Sequence, residues 1–221
     1  MNQINRKKLQ QFITELVKQE GLPPNSVFAI ETAFLLWQTE ITHDEILSQK
    51  PKPPVQQIAQ IEYIFFGFNG VLTNNKVYID SKGDISVRCD QSDLRGIKQL
   101  RSIGKLVSLL SSGSDVVSQS AAEFLSVDLF DQCIDKAGFL REWMKKNGVE
   151  PQQVAYVGSG EHDVGAMQQV GLKLCPADAE SEIIAIADYV IPCLGGEGIA
   201  SGVAELFKVD LSDNQPLGEF A

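Results

Sequence analysis

Histidine occurs only twice and cysteine only four times in this 221-residue chain. Cys89, Cys133, Cys175 and Cys193 form no C-x-x-C pair, so the usual zinc frames are excluded and reduced structural thiols remain. No stretch approaches the roughly 18 uninterrupted apolar residues of a spanning helix. The start, MNQINRKKLQQF, is basic but lacks an apolar core of signal-peptide type, and the chain is read as cytoplasmic. Basic residues are the minority charge: 19 Lys and Arg stand against 29 Asp and Glu, a net charge of -10. That surplus repels phosphate backbones and anionic headgroups, so neither nucleic acid nor a membrane is expected as partner. What is present, 43% hydrophobic and 22% charged residues, suffices for one well-cored domain with an appendage.

The first fifty residues carry helical periodicity. Leu9, Phe12, Ile13, Leu16 and Val17 recur at three and four and form one apolar stripe, ended by Gly21 and Pro23-Pro24. A second helix starts near Asn25, and Thr42 with Glu45 has the form of a capping box for a short third one. Residues 1–50 are therefore expected to be a small helical unit. Residues 51–60, opening with Pro51, Pro53 and Pro54, are expected as a linker, because proline removes a donor and pushes its predecessor toward extended geometry.

From Ile61 to Phe207 the pattern alternates. Apolar runs at 63–66, 105–110, 127–130, 154–157, 172–174 and 189–191 predict strands, separated by helical stretches at 93–103, 114–125, 136–146, 162–170 and 180–187. This alternation predicts an α/β domain with a Rossmann-like, mostly parallel sheet flanked by helices. Lys76–Asp80 and Asp84–Arg88, joined by Ser81-Lys82-Gly83, predict a β-hairpin flap. Residues 208–221 are left as a tail.

Along this domain GFNGVLT (67–73), the hairpin, SDLRGI (92–97), LLSSGS (109–114), Lys136, VAYVGSGEHDVGAM (154–167), ADYVI (187–191) and LGGEGIASGV (194–203) follow in order. Together they resemble the capless branch of the haloacid-dehalogenase phosphatases, typified by 3-deoxy-manno-octulosonate 8-phosphate phosphatase. The helical unit lies outside this resemblance. The resemblance implies an Asp-x-Asp-Gly-Val-x-Thr loop in which one aspartate attacks phosphorus and the next handles protons. Here those two positions are Gly67 and Asn69, and no aspartate occurs between Ile61 and Asn75.

Three further stations are implied. Ser112 and Gly113 match the loop that hydrogen-bonds phosphoryl oxygens, although a Ser-Gly turn is also ordinary helix capping; Ser114 stands where arginine is usual. Lys136 matches the phosphate-neutralising lysine. The implied magnesium loop, Gly-Asp-Asp-x-x-Asp, reads Gly158-Ser159-Gly160-Glu161-His162-Asp163, so only Asp163 keeps its carboxylate. Gly158-x-Gly160 lacks the third glycine of a dinucleotide loop, and Ser159 with His162 lacks the G-x-S-x-G frame. In the Gly-Gly-x-Gly segment, Glu197 replaces the usual arginine.

With Asp163 and Lys136 as a nearly neutral pair, no cofactor is expected and magnesium binding is not expected either. Lys136 is left to pair with Asp163, or to receive an anion together with Asn69, Ser112 and Gly113. The leading expectation is a catalytically inactive, phosphatase-like binding or structural subunit. Its partner is expected to be another protein held by the N-terminal helices, or a second copy joined through Tyr78, Ile79, Ile85 and Val87 of the hairpin into a homo-oligomer. The alternatives are a residual phosphatase acting on a sugar acid phosphate, drawing a nucleophile such as Asp93 or Asp163, and a small-molecule sensor.

Overall fold

The computed structural model describes residues 52–113 and 116–212. The expected helical unit at 1–50, Ser114, and the tail beyond Ser212 lie outside the described residues. Six strands make one parallel sheet: β1 (Tyr63–Phe66), β4 (Leu106–Leu110), β5 (Asp128–Phe130), β6 (Val154–Val157), β7 (Leu172–Pro176) and β8 (Tyr189–Ile191), ordered β5-β4-β1-β6-β7-β8. The remaining pair, β2 (Tyr78–Ile79) and β3 (Ile85–Ser86), forms a separate antiparallel hairpin. β1 lies in the middle, with Phe66 opposite Leu109 on one side and Val157 on the other. Its carboxyl end therefore faces the crevice where successive crossovers diverge, the usual place for ligands in such sheets.

Strands buried on both faces need apolar side chains at every position. Val154, Ala155, Tyr156 and Val157 are all fully buried, which is why β6 shows no polar alternation. On one face Ile64 and Phe66 join a core with Ile97 and Leu100 of α2 (Gln91–Ser102), Ala122 and Leu125 of α3 (Val116–Leu125), and Val203 and Phe207 of α7 (Ile199–Ser212). On the other face α4 (Lys136–Asn147) is held by an aromatic cluster. Trp143 meets Tyr63 and Phe65 edge-on at 5.0 Å each, and Phe139 meets Phe130 at 4.9 Å. Asp135 caps α4 by accepting the Gly138 N–H at 2.8 Å, and Gly148 closes it in the left-handed conformation. This anchoring fixes where Lys136, the first residue of α4, can stand.

Several boundaries differ from the sequence expectation. Val55–Gln60, inside the expected linker, is helix α1; Ile58 is buried and the Gln57 amide donates to the Gly171 carbonyl at 2.7 Å. The helix expected at 162–170 is a 3-10 turn, Glu161–Asp163, followed by the short α5 (Val164–Met167). The expected hairpin keeps only two paired residues on each arm. The sequence pattern predicts no element from Ile199 onward, yet this stretch forms α7 and runs past the expected boundary at 207. Its neighbour α2 approaches so closely that a methyl group on Gly96 would stand 2.3 Å from the Ala200 backbone. Only glycine permits that crossing.

Candidate functional site

The expected site residues collect at the carboxyl ends of the strands. After β1 the chain makes a tight turn, Phe68–Leu72, closed by the Thr73 N–H donating to the Phe68 carbonyl at 3.2 Å, in which Gly70 takes φ +74°. Ser159 lies against that turn and donates its hydroxyl to the Asn69 carbonyl at 3.0 Å. Gly67 is buried, its N–H bonded to the Val157 carbonyl at 2.9 Å. A Cβ at position 67 would sit 3.6 Å from Asp163 Oδ1, and 3.3 Å from both Val157 O and Val71 Cγ2. The absent side chain would thus enter the neighbourhood of Asp163.

Asp163 is 4% exposed and its carboxylate is fully engaged. Oδ1 accepts from Lys136 Nζ and from the Tyr156 hydroxyl, each at 2.6 Å. Oδ2 accepts the N–H groups of Ser159 at 2.9 Å and Gly160 at 3.4 Å. Of the two fates open to Lys136, pairing with Asp163 is the one observed, and both side chains are buried. Burial first, and then the Asp163 charge, push the Tyr156 phenol well above its usual range, so Tyr156 remains a neutral donor. The lysine, the phenol and the loop amides supply what a buried carboxylate requires.

Sequence reading missed Tyr156. Its one signal was a polar tip inside an otherwise apolar strand, seven residues before Asp163. It also missed Glu180, whose carboxylate accepts the Glu161 N–H at 2.9 Å and lies 3.1 Å from where a Gly160 side chain would begin. Ser112 and Gly113 follow β4, on the opposite side of β1 from Ser159, and the Gly113 carbonyl accepts the Gln132 N–H at 3.3 Å. Asp93, considered as a substitute nucleophile, lies 1% exposed in the first turn of α2 and accepts the Ala200 N–H at 2.7 Å.

Magnesium takes carboxylate oxygens, and the magnesium loop implied by the resemblance carries serine and glycine at 159 and 160, while its remaining carboxylate, Asp163, already has four donors. The residues present therefore do not fit that ion. Among the described residues no group of three or more His, Cys, Asp and Glu side chains is placed to hold a metal, and no helix is long and apolar enough to cross a membrane.

A sequence profile of haloacid dehalogenase-like hydrolases matches residues 3–203. The chain belongs to that family. The match to the haloacid dehalogenase-like hydrolases begins well before Ile61, where the resemblance read from motifs starts. The 3-deoxy-D-manno-octulosonate 8-phosphate phosphatase of Haemophilus influenzae is 27% identical over 144 residues, 65% of this chain and 80% of that protein. N-acylneuraminate cytidylyltransferase B of Danio rerio is 28% identical over 156 residues, which span 68% of this chain but 36% of that protein. Among solved structures, the octulosonate phosphatase of Yersinia pestis superposes with a TM-score of 0.67 at 26% identity, covering 72% of this chain and 86% of that one. The Moraxella catarrhalis enzyme, in complex with magnesium, phosphate and KDO, shares the fold at 22% identity and a TM-score of 0.67, covering 71% and 90% of the two chains.

Proposed function

We propose that this protein is a catalytically inactive haloacid dehalogenase-like hydrolase that works as a structural, scaffolding or regulatory binding subunit. One observation carries the reading: the single carboxylate remaining at the family's catalytic positions, Asp163, is consumed by Lys136, Tyr156 and two loop amides. No carboxylate stands at 67 or 69 to attack phosphorus or protonate a leaving group. The substitute nucleophiles are not available either, since Asp163 has no free oxygen and Asp93 is buried against α7, away from solvent. The sugar acid phosphatase activity carried by the names of its relatives is therefore not extended to this chain.

The Ser112–Gly113 turn, Asn69 and the Lys136 ammonium are the groups proposed for an anion, although Lys136 is already neutralised by Asp163. Binding of phosphate without hydrolysis is weak in this reading and requires no divalent cation. The contact surface is the hairpin, where Tyr78, Ile79 and Ile85, with Val77 in place of Val87, are 55–65% exposed; Val87 is instead half-buried against the core. Apolar side chains on so short a pair of strands are suited to covering by a second copy of the chain. A protein partner of residues 1–50 is the other contact proposed.

The test is a phosphatase assay on purified protein with an aryl phosphate and Mg²⁺, beside the variant Gly67→Asp/Asn69→Asp/Ser159→Asp/Gly160→Asp. Wild-type protein is expected to show no turnover, with any activity confined to the variant. Robust wild-type turnover abolished by EDTA would overturn the proposal in favour of a residual phosphatase. Sedimentation of wild type and Tyr78→Lys/Ile79→Asp tests the contact surface, the expected result being a smaller species for the variant.

A further inference from the structure

We propose that Asp93 is a proton-operated latch: with its carboxyl protonated it holds the start of α7 and the Gly195–Gly198 loop against the β1 loop, and loss of the proton releases that hold. The geometry is a buried junction. Asp93 belongs to α2, yet its Oδ1 accepts from the Ala200 N–H in the first turn of α7. Its Oδ2 is buried and has no hydrogen-bond partner. Beside it, the Ser201 hydroxyl donates to the Ser92 carbonyl at 2.5 Å, and Gly96 lets the two helices touch. The loop leading into α7 reaches the turn that follows β1, where the Gly196 N–H donates to the Val71 carbonyl at 2.9 Å.

The groups facing Asp93 do not favour its charge. Asp90 caps the start of α2 and Glu197 precedes α7, and both repel it; the Cys89 and Cys193 thiols lie within its field. Two positive groups stand at this corner: Arg88 is paired with Glu197, and Arg88 and Arg95 both act on the Asp90 carboxylate. The Ala200 N–H favours the anion, but burial outweighs it and raises the Asp93 carboxyl to about 7. Because the closed state binds the proton more tightly than a hydrated open state, the latch is full at low pH. Its hold is lost progressively as pH rises from the ordinary carboxylate value of 3.8 to about 7, and it falls no further above that.

The test is amide hydrogen exchange of the full chain, corrected for intrinsic rates, at pH 6 and pH 8. For a carboxyl at about 7 when closed and near its ordinary value when open, protection at 195–202 should fall about tenfold between those two conditions. Asp93→Asn should abolish the fall, and α4 amides should not share it. Constant wild-type protection, an equal fall in Asp93→Asn, or an equal fall in α4 would each overturn the latch. Should Asp93→Asn not fold, Asp90→Asn/Glu197→Gln keeps the test decisive, since it removes two repelling charges and leaves Asp93 in place. Its transition should move to higher protection at pH 8, and an unchanged midpoint would overturn the proposal.

Discussion

Two buried aspartates, Asp163 and Asp93, are almost equally hidden from water, at 4% and 1% exposure, and meet opposite surroundings. Asp163 stands among a lysine, a phenol and two backbone donors. Asp93 has one donor, an orphaned oxygen and two acidic neighbours. Burial alone thus does not say whether a carboxylate is charged; the donors that converge on it do. In the first region the carboxylate is held in a buried ion pair. In the second, a helix junction has acquired a titrating group.

The largest effect expected is from Lys136→Met, which leaves Asp163 buried without its cation. Breaking one partner of a buried pair costs about 3–5 kcal/mol, to be read from urea denaturation. A loss below about 1 kcal/mol, the range of exposed pairs, would show that solvent reaches this pair and would erase the contrast with Asp93. Gly96→Ala should come next, since its methyl would collide with the Ala200 backbone. Overpacking of this kind costs about 1–3 kcal/mol, and it should also weaken the pH response at 195–202 by separating Asp93 from α7. Tyr156→Phe removes one donor to a charged acceptor and should cost about 1.5–3 kcal/mol if the other three donors do not compensate. Denaturation of Tyr156→Phe in the Lys136→Met background would reveal coupling between the two donors as non-additivity. Ser159→Ala should be mildest. It loses a partly exposed hydroxyl bond to Asn69, a change of about 0.5–1.5 kcal/mol, and leaves the backbone donor to Asp163 intact.

The sheet was legible because strands buried on both faces show as unbroken apolar runs, and Tyr63–Phe66 and Val154–Val157 appear in the structure with the limits read from sequence. Helix α4 was legible for a similar reason, its apolar side being spaced for one face. Helix α1 was not, since the prolines at 51, 53 and 54 mark a helix stop equally well as a helix start at Val55. Helix α7 was obscured by its opening, Ile199-Ala200-Ser201-Gly202, which reads as loop chemistry. Its order depends on packing against α2 across Gly96, a contact 104 positions away in Ala200.

At the site, the missing carboxylates were visible as missing letters, because chemistry depends on functional groups that a sequence states outright. Gly67, Asn69, Ser159 and Gly160 announced that loss before any fold was known. The choice between an open anion pocket and a closed ion pair was different. It depended on Lys136 Nζ lying 2.6 Å from Asp163, on the Tyr156 hydroxyl reaching the same oxygen, and on two amides turning toward the other. The state of Asp93 likewise depended on a helix that joins it from 107 residues away. Sequence by itself determined the α/β fold class and the absence of aspartate at positions 67, 69, 159 and 160, since both are properties of local pattern and residue identity. Tertiary structure decided which buried charges are satisfied, because hydrogen-bond donors and desolvation come from residues distant in the chain.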